Sequence, residues 1–348
     1  MVRGAKSQPH PIARYREGPH DVQGQGAGGA QRGRSSNAPV GRARRGLAVL
    51  VVTALVVVGF AIWAAQELSR PQVPPGPAQL DPSAFSPGAC LAYPPTTGGR
   101  HQTVFLDAGH GGVDPGAVGT TQSGQSVEES KLNLAIELDT MTLLRREGFR
   151  VVVSRTRNTS VTRLTPADTN DGVLSLQGSH DDVAARDVCA NLAHASVLVG
   201  IYMDGGETTS EAGSVSIYDD ARPFAAANRR LASLLQARVL ATMNAHGWQI
   251  PDDGVTNDTT FGSYVGDPQL GGLAAAAASY DHLLLIGPGE PRYFDTPSAM
   301  PGAVIEPLYL TDPFEASIAA SRSGQQAIAE GIARALSQFL HRTQMAAS

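Results

Sequence analysis

The residues of this chain whose types could support catalysis lie at the ends of short apolar runs. His110 stands in a glycine turn, FLDAGHGGVDPGAVG, directly after the apolar run TVFLD. Glu129 stands in VEESKLNLAIEL, where apolar residues begin to recur at helical spacing. Glu306 stands in the otherwise apolar run AVIEPLYL. Taken alone, His110 is either a metal ligand or a polar residue of the turn, and the two glutamates favour the first role.

The chemistry that this set would support is hydrolysis assisted by zinc. Catalytic zinc usually has three protein ligands and leaves one position for water. The bound water has a pKa of about 7, so hydroxide forms at neutral pH. His110 and Glu129 are candidate ligands. Glu306, which burial would make a weaker acid, is the candidate for passing a proton to the leaving amine.

The elements that must position these residues are short apolar runs alternating with longer amphipathic stretches. The chain has 348 residues and is 42% hydrophobic, as is normal for a protein with a folded core. Strands are predicted in TVFLDAG, FRVVVSR, SVLVGIY, GSVSIYD, HLLLIG and GAVIEPLYL, with helices between them. This alternation predicts an α/β fold, a mostly parallel twisted sheet with helices on both faces. Ligands bind beyond the carboxyl ends of such strands, where His110, Tyr202 and Glu306 all fall.

Six motifs, in order along the chain, resemble the zinc-dependent N-acetylmuramoyl-L-alanine amidases of the Amidase_3 (AmiC-like, family 3) type. They are FLDAGHGGVDPGAVG, ESKLNLA, VVVSRTR, RDVCANLAHA, VLVGIYMDGG and PGAVIEPLYLTDP, within residues 102–342. The resemblance implies a zinc amidase/phosphorylase-like fold, a Zn²⁺ cofactor and a peptidoglycan substrate. The implied reaction is cleavage of the amide between N-acetylmuramic acid and the L-alanine of the stem peptide.

The resemblance also assigns roles to residues of this chain. It implies that His110 and Glu129 bind zinc and that Glu306 is catalytic. The third zinc ligand of the family is a histidine in SIHAN or SIHAD, but this chain reads GIYMD, so Tyr202 stands in its place. A phenol with a pKa of about 10 must lose its proton to bind zinc. The phenolate would then make the bound water less acidic.

Other residues near these motifs have less certain roles. Asp204 lies two residues beyond the tyrosine, on the same face of an extended chain, and is a candidate supporting residue. Arg186 in RDVCAN matches an arginine of the family, and a structural ion pair is the alternative role. The remaining histidines of the domain, His194, His246 and His282, are expected at the surface or in structural positions.

The tyrosine at position 202 leaves two main hypotheses about function. In the first, the protein is a cell-wall hydrolase in which zinc-activated water cleaves the amide and Glu306 serves as general base and acid. In the second, it is a catalytically impaired amidase-like module that binds peptidoglycan or a cell-wall enzyme. A metal-free structural domain outside the membrane is a third reading.

The first hundred residues differ in composition from the rest. Residues 1–45 carry nine Lys and Arg against two acidic residues, which predicts a disordered, basic cytoplasmic tail. Residues 46–66 are uncharged and mostly apolar, which predicts a transmembrane anchor, with a cleaved signal peptide as the alternative. Residues 67–100 are rich in proline and predict an extracytoplasmic linker. The catalytic domain is then expected at 101–342 and a short tail at 343–348.

The charge distribution and the cysteines together predict the topology. Arginines directly before the apolar segment keep the N-terminus in the cytoplasm and export the domain, as a single-pass protein of the cell membrane. This topogenic role accounts for the basic tail, so no nucleic-acid partner is expected. Both cysteines, Cys90 and Cys189, then lie in an oxidising compartment and predict a disulfide, with two buried free thiols as the alternative. Nothing in the sequence predicts the oligomeric state.

Overall fold

The structure is a computed structural model, and it describes residues 76–261 and 272–347. The strands are β1 (Ala78–Gln79), β2 (Ala89–Tyr93), β3 (Thr103–Ala108), β4 (Val118–Thr120), β5 (Ser126–Glu128), β6 (Arg150–Arg155), β7 (Thr169–Asn170), β8 (Val173–Leu174), β9 (Val197–Ile201), β10 (Ser214–Tyr218), β11 (Asp252–Asn257) and β12 (Gly302–Glu306). The helices are α1 (Glu129–Arg146), α2 (Leu176–Leu192), α3 (Ala225–Asn244), α4 (Gly272–Ser279), α5 (Pro313–Ala320) and α6 (Arg322–Ala347).

The predicted N-terminal tail and apolar anchor, at 1–45 and 46–66, lie outside the described residues. Among the helices that the structure does describe, none combines the length and the apolar character needed to span a membrane.

One eight-stranded sheet organises the fold, in the order β1-β2-β6-β3-β9-β12-β10-β11. The four strands β6, β3, β9 and β12 are parallel to one another. Strands β10 and β11 are parallel to each other, and β10 runs antiparallel to β12. Carboxyl ends of strands therefore lie at both ends of the sheet. We call the carboxyl ends of β3, β9 and β12 the front rim, and the carboxyl ends of β10 and β11, which point the opposite way, the rear rim.

Helices cover both faces of the sheet, as predicted. Along β3, Val104 and Leu106 are buried in the core of one face, whereas Phe105 is buried in the core of the other. This alternation follows from the two-residue period of a strand. The first core includes apolar residues of α1, α3 and α6, and the second includes apolar residues of α2. A strand buried on both faces is continuously apolar, which is why TVFLDA was recognisable in the sequence.

Two elements at the side of β10 differ from the prediction. The run HLLLIG was expected to be a strand, but residues 282–287 form turns, and its Leu285 and Ile286 are buried in the second core. The strand that pairs with β10 is instead β11, DDGVTN, which was not predicted. An edge strand that is half exposed needs no apolar alternation, so its sequence carries no strand pattern.

The structure also gives an outcome for the cysteines and for the proline-rich segment. Cys90 and Cys189 form the predicted disulfide, with both residues fully buried. The bond joins β2 to α2 across 99 residues of sequence. Strands β1 and β2 lie within the segment 67–100 that composition assigned to a linker, and β2 pairs with β6 in the main sheet. The folded unit therefore includes β1 and β2.

Candidate functional site

The glycine turn after β3 holds His110 between two carboxylates. Its Nδ1 lies 2.8 Å from Asp114 Oδ2, and its Nε2 lies 3.2 Å from Glu129 Oε2. Glycine at position 116 makes this approach possible, because a Cβ there would lie 2.5 Å from Glu129 Oε2 and 2.7 Å from the imidazole. The structure thus brings together the first two residues that the resemblance implied as ligands.

The carboxylate of Glu129 is buried and held by several N–H donors. Oε2 accepts a hydrogen bond from the backbone of Ala117 at 2.8 Å. Oε1 accepts from Asn133 Nδ2 at 3.0 Å and from the backbone of Met203 at 2.9 Å. Glu129 therefore joins the glycine turn, the first turn of α1 and the segment that follows β9. These contacts fix the orientation of the carboxylate towards His110.

The two carboxylates decide the charge of His110. Burial opposes the charged imidazole, but the hydrogen bonds to Asp114 and Glu129 outweigh burial and raise the pKa of His110 to about 10. His110 is therefore an imidazolium at neutral pH, with each ring nitrogen directed at one carboxylate.

Tyr202, at the position of the third family ligand, directs its hydroxyl away from the other two. The hydroxyl donates a hydrogen bond to Asp107 Oδ2 at 3.2 Å, whereas the ring meets His110 edge-on with centroids 5.4 Å apart. The ring packs on Gly109, where a Cβ would lie 2.3 Å from Tyr202 Cε1. Burial and the nearby Asp107 carboxylate raise the pKa of Tyr202 well above its ordinary value. Tyr202 is therefore a neutral phenol that is bonded elsewhere.

Arg186 holds the acceptor of that hydrogen bond in place. Its Nη1 lies 2.6 Å from Asp107 Oδ1, and its Nη2 lies 2.6 Å from Asp182 Oδ2. The guanidinium also donates to the carbonyls of Ala108 and His110 at 2.8 and 2.9 Å. Arg186 is almost completely buried, so its contacts are those of a structural ion pair beneath the front rim.

Glu306 ends β12 at the front rim and pairs with Asp204. Burial, the Asp204 carboxylate and the Glu129 carboxylate raise the pKa of Glu306 well above its ordinary value. A hydrogen bond between Glu306 and Asp204 stabilises the protonated form. The backbone of Asp204 is fixed by bonds to Leu308 and Leu310, at 2.9 and 2.8 Å. Asp204 therefore supports the candidate catalytic glutamate through this hydrogen bond.

These contacts test whether the front rim fits a three-ligand zinc site. The 3.2 Å between His110 Nε2 and Glu129 Oε2 is near the spacing of about 3.4 Å expected for two ligands of tetrahedral zinc. Asp114 on Nδ1 is the kind of outer partner that zinc-bound histidines have. The third ligand fails, because the hydroxyl of Tyr202 is bonded to Asp107. Within 76–261 and 272–347, no third His, Cys, Asp or Glu joins His110 and Glu129 at ligand distance. The donor set therefore does not fit.

A second polar group, which the sequence did not reveal, lies at the rear rim. Asp219 directly follows β10, Asp258 directly follows β11, and His282 lies in the turns beyond α4. Among the described residues, these form the one group of three His, Cys, Asp or Glu side chains with ligand atoms within 4.8 Å of one another. His282 was expected at the surface or in a structural position. In the sequence, only Asp219 could have indicated this group, because it ends the predicted strand GSVSIYD. Asp258 follows β11, whose sequence has no strand pattern.

Comparison with known proteins identifies the family. The Amidase_3 family model, N-acetylmuramoyl-L-alanine amidase, matches residues 104–338. The amidase LytC of Bacillus subtilis is 29% identical over 143 residues, which are 41% of this chain and 23% of LytC. YqiI of Bacillus subtilis is 28% identical over 142 residues, again 41% of this chain, and 56% of YqiI. The chain thus matches less than two thirds of the length of either relative.

The fold agrees with this assignment. The CwlD amidase from Clostridioides difficile, solved in complex with the GerS lipoprotein, superposes with a TM-score of 0.51 at 19% identity. The superposition covers 70% of this chain and 100% of CwlD, so the two share the mixed α/β architecture. The family match spans more than half of the chain, the motif order agrees with it, and the chain belongs to the N-acetylmuramoyl-L-alanine amidase family.

Proposed function

We propose that the folded domain recognises the linkage between N-acetylmuramic acid and L-alanine in peptidoglycan and is impaired in cleaving it. Family membership supports the substrate class. One observation carries the impairment, namely that the residue in place of the third ligand, Tyr202, donates its hydroxyl to Asp107. The impairment is thus built into the packing of the front rim.

The remaining residues of the front rim are suited to binding an amide. The raised pKa of Glu306 keeps its carboxyl protonated, and the pair that it forms with Asp204 offers carboxyl oxygens that can accept a hydrogen bond from the amide N–H of the substrate. The imidazolium of His110 lies beside the same rim, where Asp114 and Glu129 offset its charge. Neither group can activate water here, since both ring nitrogens of His110 face carboxylates and the carboxyl of Glu306 is already protonated. The domain would therefore bind the amide of its substrate and cleave it slowly.

A second candidate function, efficient hydrolysis, is favoured by the 3.2 Å between His110 Nε2 and Glu129 Oε2. If those two residues alone hold a catalytic zinc, the tyrosine would be a tolerated neighbour. The two candidate functions make different predictions for the rate of hydrolysis by the Tyr202→His variant.

The test compares release of L-alanine peptides from muropeptides by the full-length wild type and Tyr202→His. The introduced imidazole would face Asp107, which can then act as its orienting carboxylate. We expect hydrolysis to rise at least about 100-fold in the variant, because a complete ligand set generates zinc-bound hydroxide. Adding Glu306→Gln to that variant should abolish the gain. Equal rates for the wild type and Tyr202→His would contradict the proposal.

Binding is measured separately, by cosedimentation of the same proteins with peptidoglycan. We expect wild type and Tyr202→His to cosediment equally, because the substitution changes the metal site and not the surface of the rim. A wild type that stays in the supernatant would remove the recognition part of the proposal while leaving the impairment intact.

We also propose that residues 46–66 anchor the domain outside the cell membrane. The disulfide between Cys90 and Cys189 supports export, because such bonds persist in oxidising compartments. Protease added to intact spheroplasts should digest the domain and leave the N-terminal tail protected. Protection of the domain until the membrane is dissolved would contradict this location.

A further inference from the structure

The rear rim carries a set of ligand atoms that the family assignment does not use. We propose that Asp219, Asp258 and His282 bind one divalent transition-metal ion, of the class of Zn²⁺. One imidazole nitrogen and two carboxylate oxygens are donors that zinc accepts in proteins. The proposal does not depend on the function proposed for the front rim.

The spacing of the three side chains suits a shared ion. His282 Nδ1 lies 2.9 Å from Asp219 Oδ2 and 3.3 Å from Asp258 Oδ2. Two ligands that are each 2.0–2.2 Å from a tetrahedral zinc ion lie about 3.4 Å apart. The side chains would therefore need to move only slightly to bind one ion between them.

Each carboxylate is oriented by a backbone N–H that bonds one of its two buried oxygens. Asp219 Oδ1 accepts from the backbone of Arg222 at 3.0 Å, and Asp258 Oδ2 accepts from the backbone of Leu283 at 3.0 Å. Asp258 Oδ1 is buried and accepts no hydrogen bond from the described part of the chain, whereas Asp219 Oδ2 lies 2.9 Å from His282 Nδ1 and has no other partner there. Asp219 is completely buried, and its Oδ2 points at His282. A buried oxygen in this state is what a bound cation would satisfy.

The nearest guanidinium is bonded to other acceptors. Arg222 donates from Nη1 to the carbonyl of Ile286 and to Ser298 Oγ, both at 3.0 Å. Its Nη2 donates to the carbonyls of Ser298 and Met300. Arg222 therefore contributes positive charge to this region without donating a side-chain hydrogen bond to either carboxylate of the group.

The group is separate from the family site. In the register of the sheet, Glu306 pairs with Val215, and Asp219 lies four residues further along the same strand direction. That separation is about 13 Å at 3.3 Å per residue. The ion would link the ends of β10 and β11 to the turns at 282–287, so its expected role is to hold that segment against the sheet.

The experiment measures Zn²⁺ binding to the full-length, chelator-stripped chain by calorimetry, with the metal content confirmed by mass spectrometry. We expect one equivalent at the rear rim and at least about a 100-fold weaker affinity in Asp258→Asn and in His282→Gln. His246→Gln, which changes an exposed histidine, is the matched control and should bind as the wild type does.

Two results would overturn the proposal. One is a wild type that binds no Zn²⁺, in which case His282 is an imidazolium bridging two carboxylates. The other is an equivalent that survives in both variants and is lost in His110→Gln, which would place the ion at the front rim. Because Asp258→Asn is nearly isosteric and His282 is partly exposed, near-ultraviolet circular dichroism can verify that at least one variant is folded.

Discussion

The front rim and the rear rim of this sheet carry similar side chains whose polar atoms are paired to different degrees. At the front rim, His110 has a carboxylate on each ring nitrogen, and the hydroxyl of Tyr202 is bonded to Asp107. At the rear rim, one nitrogen of His282 faces an oxygen of each of two carboxylates, and the other oxygen of Asp258 has no donor in the described ranges.

This difference shows that sequence resemblance locates a site but does not decide which of its atoms are available. The front rim has the family's motifs, yet its third ligand position is closed by a hydrogen bond to a neighbouring strand. The rear rim has no motif, yet it presents three ligand atoms that point at one another. Substitutions at the two rims can test whether their polar atoms differ in this way.

The largest effect is expected from Arg186→Met, which removes the cation beneath the front rim. Two buried carboxylates, Asp107 and Asp182, would lose their partner, and the free energy of unfolding should fall by about 3–5 kcal/mol in urea denaturation. Arg334→Met is the matched control, because Arg334 forms an exposed pair with Glu330 and should cost less than about 1 kcal/mol. Equal losses in the two variants would mean that the front rim is not internally paired as described.

A smaller effect is expected from Tyr202→Phe, which removes only the hydroxyl. Asp107 would lose one hydrogen bond, so the free energy of unfolding should fall by about 1–3 kcal/mol. Hydrolysis should stay at the level of the wild type, in contrast to the gain expected for Tyr202→His. A phenylalanine variant as stable as the wild type would show that the hydroxyl is not held by Asp107.

The charge of His110 predicts a pH dependence of the front rim in metal-free protein. Its pKa is raised to about 10 from an ordinary 6.5, so its ion pairs contribute fully below pH 6.5 and are lost as the pH rises through 10. The stability advantage of the wild type over His110→Gln should therefore shrink steadily between pH 6 and pH 10. Urea denaturation at the two pH values measures it, and a constant difference would contradict the pairing.

The rear rim predicts a different pH window in the same metal-free state. Burial and the Asp219 carboxylate raise the pKa of Asp258 to about 6 from an ordinary 3.8. The folded state prefers the protonated form, so the wild type should lose stability relative to Asp258→Asn as the pH rises from 3.8 to 6. The expected change is on the order of 1 kcal/mol in urea denaturation. A wild type that gains stability over the variant in this range would show that Asp258 already has a strong cationic partner.

Much of the fold and part of the front rim could be predicted from the sequence. The strands containing TVFLDA and SVLVGI were recognisable because they are buried on both faces, and the two cysteines allowed only one intramolecular disulfide. His110, Glu129 and Glu306 could be found because His110 follows, Glu129 begins and Glu306 ends an element with a clear pattern. These features depend on local sequence and on the order of motifs.

The remaining features depend on contacts between distant residues. The direction of the Tyr202 hydroxyl is set by its hydrogen bond to Asp107. Asp107 is in turn held by Arg186, which lies on α2. The rear group depends on β11, whose half-exposed sequence has no strand pattern, and on turns that a sequence pattern suggested to be a strand. The spacing of residues along the chain does not indicate such contacts.

The most direct test of the account is the zinc stoichiometry of the front rim, measured in chains that carry Asp258→Asn to remove the rear group. Adding Tyr202→His should create one tightly bound equivalent, and adding His110→Gln to that protein should remove it. We predict that the parent chain with Tyr202 has no such equivalent. A parent chain that already binds one equivalent, lost in His110→Gln, would contradict the claim that Tyr202 closes the site.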